Sequence, residues 1–167
     1  MDLRLAIGLV GSALLVAGMA TGMLQRKNTL FAVGNACMFT YALLGYLAGG
    51  PVFFVILQTF IACSTVCMLL RVPDRYNTPI LAMAGVGLVA WSLALFEGWH
   101  TAIFVAGLVL LGIGFAMDAG TRRREWAFLL GSAVIAVFSL LLRDWVFVAL
   151  NGLFALFAAK NLAGMRR

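Results

Sequence analysis

The sequence predicts an all-α integral membrane protein of seven transmembrane helices, and three observations carry that prediction. Hydrophobic residues make up 64% of the chain and charged residues 11%, which leaves too little polar surface to cover a soluble core of this size. The apolar residues fall in runs of roughly 17–20, each close to the length that crosses a hydrocarbon layer of about 30 Å. Short polar or turn-forming breaks separate the runs. The three prolines, Pro51, Pro73 and Pro79, stand in or beside those breaks, where a missing backbone N–H costs least.

Taken in order, the first span is Leu5–Leu24, which opens after Arg4 and ends at "QRKN". Arg4, the apolar run and the small-x-small Gly18–Ala20 also fit a cleaved signal peptide, which would leave six spans. The second span, Thr29–Ala48, stops at "GGP", and the third, Val52–Leu70, at "RVPDRYNT". Pro79–Phe96 is the fourth, bounded by "EGWH", and Thr101–Met117 the fifth, bounded by "DAGTRRRE". The sixth, Trp126–Leu142, ends at the two residues "RD", and Trp145–Ala163 is the last. Trp99, Trp126 and Trp145 sit at span ends, where amphipathic rings anchor in the headgroup layer.

Basic residues orient the bundle. The N-terminus, "GGP", "EGWH" and "RD" carry only Arg4 and Arg143, whereas the other four segments carry the remaining 10 of the 12 Lys and Arg. The positive-inside rule then puts the N-terminus outside and the C-terminus in the cytoplasm, as expected for a bacterial plasma (inner) membrane protein with an odd number of spans. The net charge of +6 is accounted for by these loops facing anionic headgroups. No basic run is interleaved with aromatics, so nucleic acid is not an expected partner and membrane lipids are.

The chain repeats itself. Residues 51–70 over 144–163, an offset of 93, align Phe54 with Phe147, Leu57 with Leu150 and Gln58 with Asn151. Residues 29–45 over 126–142, an offset of 97, align Phe31 with Phe128 and Gly34 with Gly131. The first and fifth spans share "GLV" at 8–10 and 107–109, an offset of 99. Three pairs in one order predict a 3+1+3 plan of parallel repeats: a first three-helix repeat over 1–78, a linker helix over 79–100 and a second repeat over 101–167.

With that plan the chain resembles the SWEET/PQ-loop transporter superfamily, whose parallel repeats surround a site near the membrane midplane. The stretch "RDWVFVALNGLFALFAAKNL", 143–162, is also similar to the three-span domain named for the N-terminus of lipid-A-disaccharide synthase. That motif has an acidic residue, an aromatic-aliphatic run, a central amide and a terminal basic-Asn-Leu. The first resemblance implies a small transporter or ligand-binding protein for an uncharged polar solute. The second implies a non-transporting, lipid-associated accessory protein. No PQ dipeptide occurs, and the prolines that sugar-transporting relatives carry inside their helices are absent, so proline-hinged gating is not implied.

At about 1.5 Å per residue, Gln58 and Asn151 lie roughly 9 Å from the outer ends of their spans, and Tyr41, Trp91 and Ser139 roughly 18–20 Å from the inner ends. These five fall at nearly one level. Asn35 lies lower, roughly 9 Å from the inner surface. The six are the candidate ligand-binding residues, Gln58 and Asn151 as polar clamps and Trp91 or Tyr41 as a platform for a ring. In sugar-carrying relatives of the first family, paired asparagines on the third and last helices face the substrate. Asn151 fits that pattern, and Gln58 is one methylene longer. The same amides equally suit interhelical glue, worth about 0.6 kcal/mol.

Catalytic chemistry is not expected. Cys63 and Cys67 share a helical face without a nearby His or acid, Cys37 lies in another span, and His100 stands alone in a loop, so neither a metal nor another cofactor is implied. The six acids sit at span ends or in loops, and with no carboxylate at mid-membrane the expectation is facilitated rather than ion-coupled transport. Lys160 is expected to snorkel to the cytoplasmic headgroups. Gly18–Gly22 and Gly45–Gly49 have the spacing of close helix packing, which leaves a homo-oligomer open.

Overall fold

In the computed structural model, which describes residues 2–21, 23–117 and 120–165, seven helices follow one another. They are α1 Leu3–Ala20, α2 Leu24–Leu47, α3 Phe53–Leu69, α4 Asp74–Ala94, α5 Trp99–Ala116, α6 Arg122–Leu141 and α7 Trp145–Gly164. No strand occurs among the described residues. Six helices are long and apolar enough to cross a membrane, and α3, with 17 residues, is a shorter apolar helix. Apolar helices of this length point to an integral membrane protein.

Three expected breaks are partly helical. "QRKN" forms the first turn of α2, "DRYNT" the start of α4 and "RRRE" the start of α6. Polar side chains do not by themselves stop a helix: α6 is capped by the Thr121 hydroxyl, which accepts from the Arg124 N–H at 3.4 Å, whereas α2 opens with no side-chain cap. Pro79 therefore lies inside α4 rather than at its start. The Arg75 carbonyl, four residues back, receives no backbone N–H from it. His100, expected in a loop, belongs to the first turn of α5.

The chain divides into two compact units, Met1–Pro73 and Asp74–Arg167. In the first, α2 packs on both α1 and α3. In the second, α6 packs on both α5 and α7, and α4 lies against α5.

Missing side chains set how closely the first two helices of each unit approach. The buried residues of α1 are Gly8, Gly11, Leu15 and Gly18, spaced three and four apart along one stripe. A Cβ at Gly11 would lie 2.9 Å from the Cys37 Cβ and 3.1 Å from the Gly34 carbonyl oxygen. One at Gly34 would lie 2.8 Å from Leu15, and one at Gly18 3.6 Å from the Phe31 ring.

The second unit repeats each contact. Gly107 faces Val134 and Ile135 as Gly11 faces Cys37 and Met38; Gly131 faces Leu111 as Gly34 faces Leu15; Gly114 faces Phe128 as Gly18 faces Phe31. Even a cation is matched, Lys27 lying 5.9 Å from the Phe31 ring and Arg124 5.1 Å from the Phe128 ring. The α2 and α6 positions differ by 97 (131 minus 34), as the alignment gave, and those of α1 and α5 by 96 (107 minus 11). The shared "GLV" at 99 is thus three residues from the register set by packing.

The expected GxxxG pairs resolve differently. Gly18 packs on α2, while Gly22 lies outside the described residues. Gly45 makes room for the Arg4 guanidinium, and Gly49, at φ +87°, ends α2 in open space. There the Gly49 N–H donates to the Tyr46 carbonyl and the Gly50 N–H to that of Gly45, each at 2.9 Å, closing a Schellman motif. The ends of α3 and α6 close the same way, with Arg71 (φ +51°) and Arg143 (φ +57°) in the position glycine favours.

Two sets of substitutions test this packing. Gly131→Ala drives a methyl to 2.9 Å from the Leu111 backbone nitrogen and is expected to cost about 1–3 kcal/mol. Gly152→Ala, with nothing within 4 Å, should leave stability unchanged or raise it by up to about 1 kcal/mol. Arg143→Gly relieves a left-handed residue and should stabilise by roughly 1 kcal/mol. Thermal unfolding in detergent reads all three.

Candidate functional site

Each unit is described by itself. In the first, Gln58 on α3 is 2% exposed. Its flanking residues Leu57 and Phe60 are buried with it, because the helix face that turns inward carries Phe53, Phe54, Ile56, Leu57 and Phe60. Among the described residues the Gln58 Oε1 has no hydrogen-bond partner. A lone carbonyl in such surroundings costs on the order of 1–3 kcal/mol.

Asn35, on α2, is half-buried and donates through Nδ2 to the Thr65 hydroxyl of α3 at 2.7 Å, and that hydroxyl donates to the Ile61 carbonyl at 2.8 Å. It is thus an interhelical tie within the unit. Tyr41 is buried, its ring covered on one side by α1, where a Cβ at Gly8 would stand 2.7 Å from it. The Arg4 guanidinium lies 4.7 Å from the ring centroid, a cation–π geometry. The Tyr41 face offered in the sequence as a platform for a ligand ring therefore already carries a guanidinium.

The second unit holds the other three. Asn151 on α7 is 7% exposed and donates through Nδ2 to the Phe147 carbonyl of its own helix at 2.9 Å. Ser139 on α6 is fully buried and donates to the Ile135 carbonyl at 2.8 Å. Trp91 on α4 is 47% exposed, so within this unit its indole is half uncovered.

Two features went unread in the sequence. Glu125 had been placed in a loop, but it sits in the first turn of α6 and is 9% exposed, accepting from Asn161 Nδ2 of α7 at 3.0 Å. The acidic residue nearest the "RRR" run and the terminal "KN" of the last span were the available signals. The second feature is an apolar cavity of about 410 Å³ between α4 and α5, lined by residues such as Gly85, Val89, Leu108 and Gly112. It arises because small residues on both helices leave space that no side chain fills.

Among the described residues no three His, Cys, Asp or Glu side chains gather as a metal would require. Cys37, Cys63 and Cys67 are free thiols. Trp99 and Trp145 are well exposed at the starts of α5 and α7, and Trp126 somewhat less in the first turns of α6. Comparison of the chain with protein-family models, with curated proteins and with solved structures finds no match.

The Glu125–Asn161 tie predicts a coupling. In a double-mutant cycle of Glu125→Ala and Asn161→Ala, the interaction energy should be about 1 kcal/mol or more, since the acceptor is charged and buried. An additive pair in thermal or denaturant unfolding would remove the tie from the account.

Proposed function

We propose that this chain is a small SWEET-like membrane transporter or ligand-binding protein for an uncharged polar solute. Two three-helix units, α1–α3 and α5–α7, are joined by α4 as a linker in a 3+1+3 plan, with the N-terminus outside and the C-terminus in the cytoplasm. The recurrence of glycine, leucine, phenylalanine and cation contacts at offsets of 96 and 97 supports the duplicated plan. The Lys and Arg bias supports the orientation.

The observation that carries the functional reading is the partnerless Gln58 carbonyl. Hydrocarbon offers it no water, and a hydrophobic residue would suit the position better for stability alone. A buried acceptor kept at such a cost is what a solute with a donor requires. Asn151 occupies the matching place in the sequence repeat and is the second polar clamp of this reading. Transport is facilitated: apart from Glu125 in the first turn of α6, the described acids lie at helix starts or in connections, where none relays ions across the midplane.

The cavity between α4 and α5 favours a second reading, a lipid-associated accessory protein in which apolar surface rather than the amides does the binding.

Gln58→Leu separates the two. In the first reading it removes an unsatisfied acceptor, so the unliganded protein should unfold about 1–3 kcal/mol later, while any solute-induced stabilisation disappears. A leucine that lowers the unliganded midpoint instead would make Gln58 a structural tie, and a preserved solute response would place binding elsewhere.

A further inference from the structure

The cavity between α4 and α5 has a length, an open side and one polar end. It runs from Leu81 to Leu93 on α4 and from Leu108 to Ala116 on α5, encloses about 410 Å³, and has Gly85 and Gly112 among walls that are apolar throughout. Twelve residues of helix make about 18 Å, close to one leaflet's share of a hydrocarbon layer of about 30 Å. Leu93 at its rim is exposed, so within this unit the cavity is an open groove. Any such groove in a bilayer fills with hydrocarbon. What distinguishes this one from an ordinary lipid contact is the chemistry at its end.

Only four residues, 95–98, connect α4 to α5, so the two helices are antiparallel and the Leu81 end of the groove lies beside the last turn of α5. Two buried polar atoms of that end have no hydrogen-bond partner among the described residues, Asn77 Oδ1 and Arg124 Nε. Asn77 stands four residues before Leu81 and therefore on the groove face of α4. Packing holds Arg124 at the end of α5: its guanidinium lies 5.1 Å from the Phe128 ring, and that ring abuts Phe115 and Gly114. Arg122 and Arg123 are exposed next to it, and Arg75 is exposed at the start of α4. The acids facing them are Asp74 and Glu125, and Glu125 accepts from Asn161; Asp118 lies outside the described residues.

The two orphaned atoms are complementary in kind. Arg124 Nε is a donor, which a phosphate oxygen satisfies with a charge-assisted bond. Asn77 Oδ1 is an acceptor, which a phosphate diester cannot satisfy and a hydroxyl can. We infer that the groove binds one acyl chain of an anionic glycerophospholipid, with the phosphate at Arg122–Arg124 and a headgroup hydroxyl toward Asn77. This gives the cavity an occupant and is independent of the Gln58 site, which belongs to the other unit.

The full chain, freed of lipid in detergent, is titrated with phosphatidylglycerol and with phosphatidylcholine of identical acyl chains, and bound lipids are counted by native mass spectrometry. Phosphatidylcholine has no net charge and no headgroup donor. One phosphatidylglycerol should bind roughly tenfold more tightly, the factor that one charge-assisted hydrogen bond supplies. Gly112→Leu puts a side chain into the groove and should remove that lipid, with Gly85→Leu as the second variant should the first not purify. Arg124→Gln should keep a lipid bound and bring the two headgroups to nearly equal affinity, and Gln58→Leu should change neither. Phosphatidylglycerol retained after the groove is filled overturns the inference, as does equal affinity of the parent for both lipids. A dimer that dissociates in Gly112→Leu, with lipid binding unchanged, makes the occupant a second copy of the chain and overturns it too.

Discussion

Close contact between helix backbones, made possible by glycine, is the constraint on which both units depend. Lipid tails are as apolar as leucine, so helices in a bilayer gain little from hiding apolar surface and must gain from fit. Gly11 and Gly34 bring α1 against α2 until each meets the other's carbonyl, and in the second unit Gly131 meets the Leu111 backbone while Gly107 meets the side chains of Val134 and Ile135. Leu15 and Leu111 then fill the hollow left over Gly34 and Gly131. The arrangement tolerates different side chains around it. At the N-terminal end of α1, Gly8 lies under Tyr41, and at the corresponding place Phe104 meets Phe138 with ring centroids 5.1 Å apart. The same backbone approach thus supports an aromatic–cation stack in one unit and an aromatic pair in the other.

Polar atoms obey a second constraint, since nothing in hydrocarbon satisfies them for free. Most are answered within their own helix or by the next one, as Ser139 and Asn35 illustrate. Arginines that would be awkward elsewhere are placed on aromatic faces or in left-handed end caps. Among the described residues the Gln58 carbonyl is one of the exceptions, with the Asn77 Oδ1 and the Arg124 Nε, and it lies on the face of α3 that carries the buried Phe54, Leu57 and Phe60.

Much of the fold was legible because hydrophobic run length maps directly onto a helix crossing a bilayer. The seven runs correspond to the seven helices, and the offset of 97 between α2 and α6 was readable from Phe31, Gly34 and their counterparts. Helix starts were read too late where polar residues open them. In α4 and α6 the first turn carries charge, which hydropathy treats as loop but the first turn of a helix accommodates. The register of α1 against α5 was misread since "GLV" matched by letter, whereas packing responds to which glycine faces which side chain. Of the candidate site, Gln58, Asn151 and Ser139 are buried, which their depth along the helices does not by itself dictate. The half-exposed Trp91 and the Arg4-covered Tyr41 were not foreseeable, because depth along a helix says nothing about rotation around it.

The shortness of α3 has a consequence for the surrounding lipid. Seventeen residues make a rod of about 26 Å, against a hydrocarbon layer of roughly 30 Å. Tilting fits a long helix into a thin layer and does nothing for a short one; a rod of this length crosses only where the bilayer thins or the flanking side chains stretch toward the headgroups. That demand falls on the two ends of α3, and at one of them Arg71, in the left-handed cap, has a side chain long enough to reach outward to the headgroups.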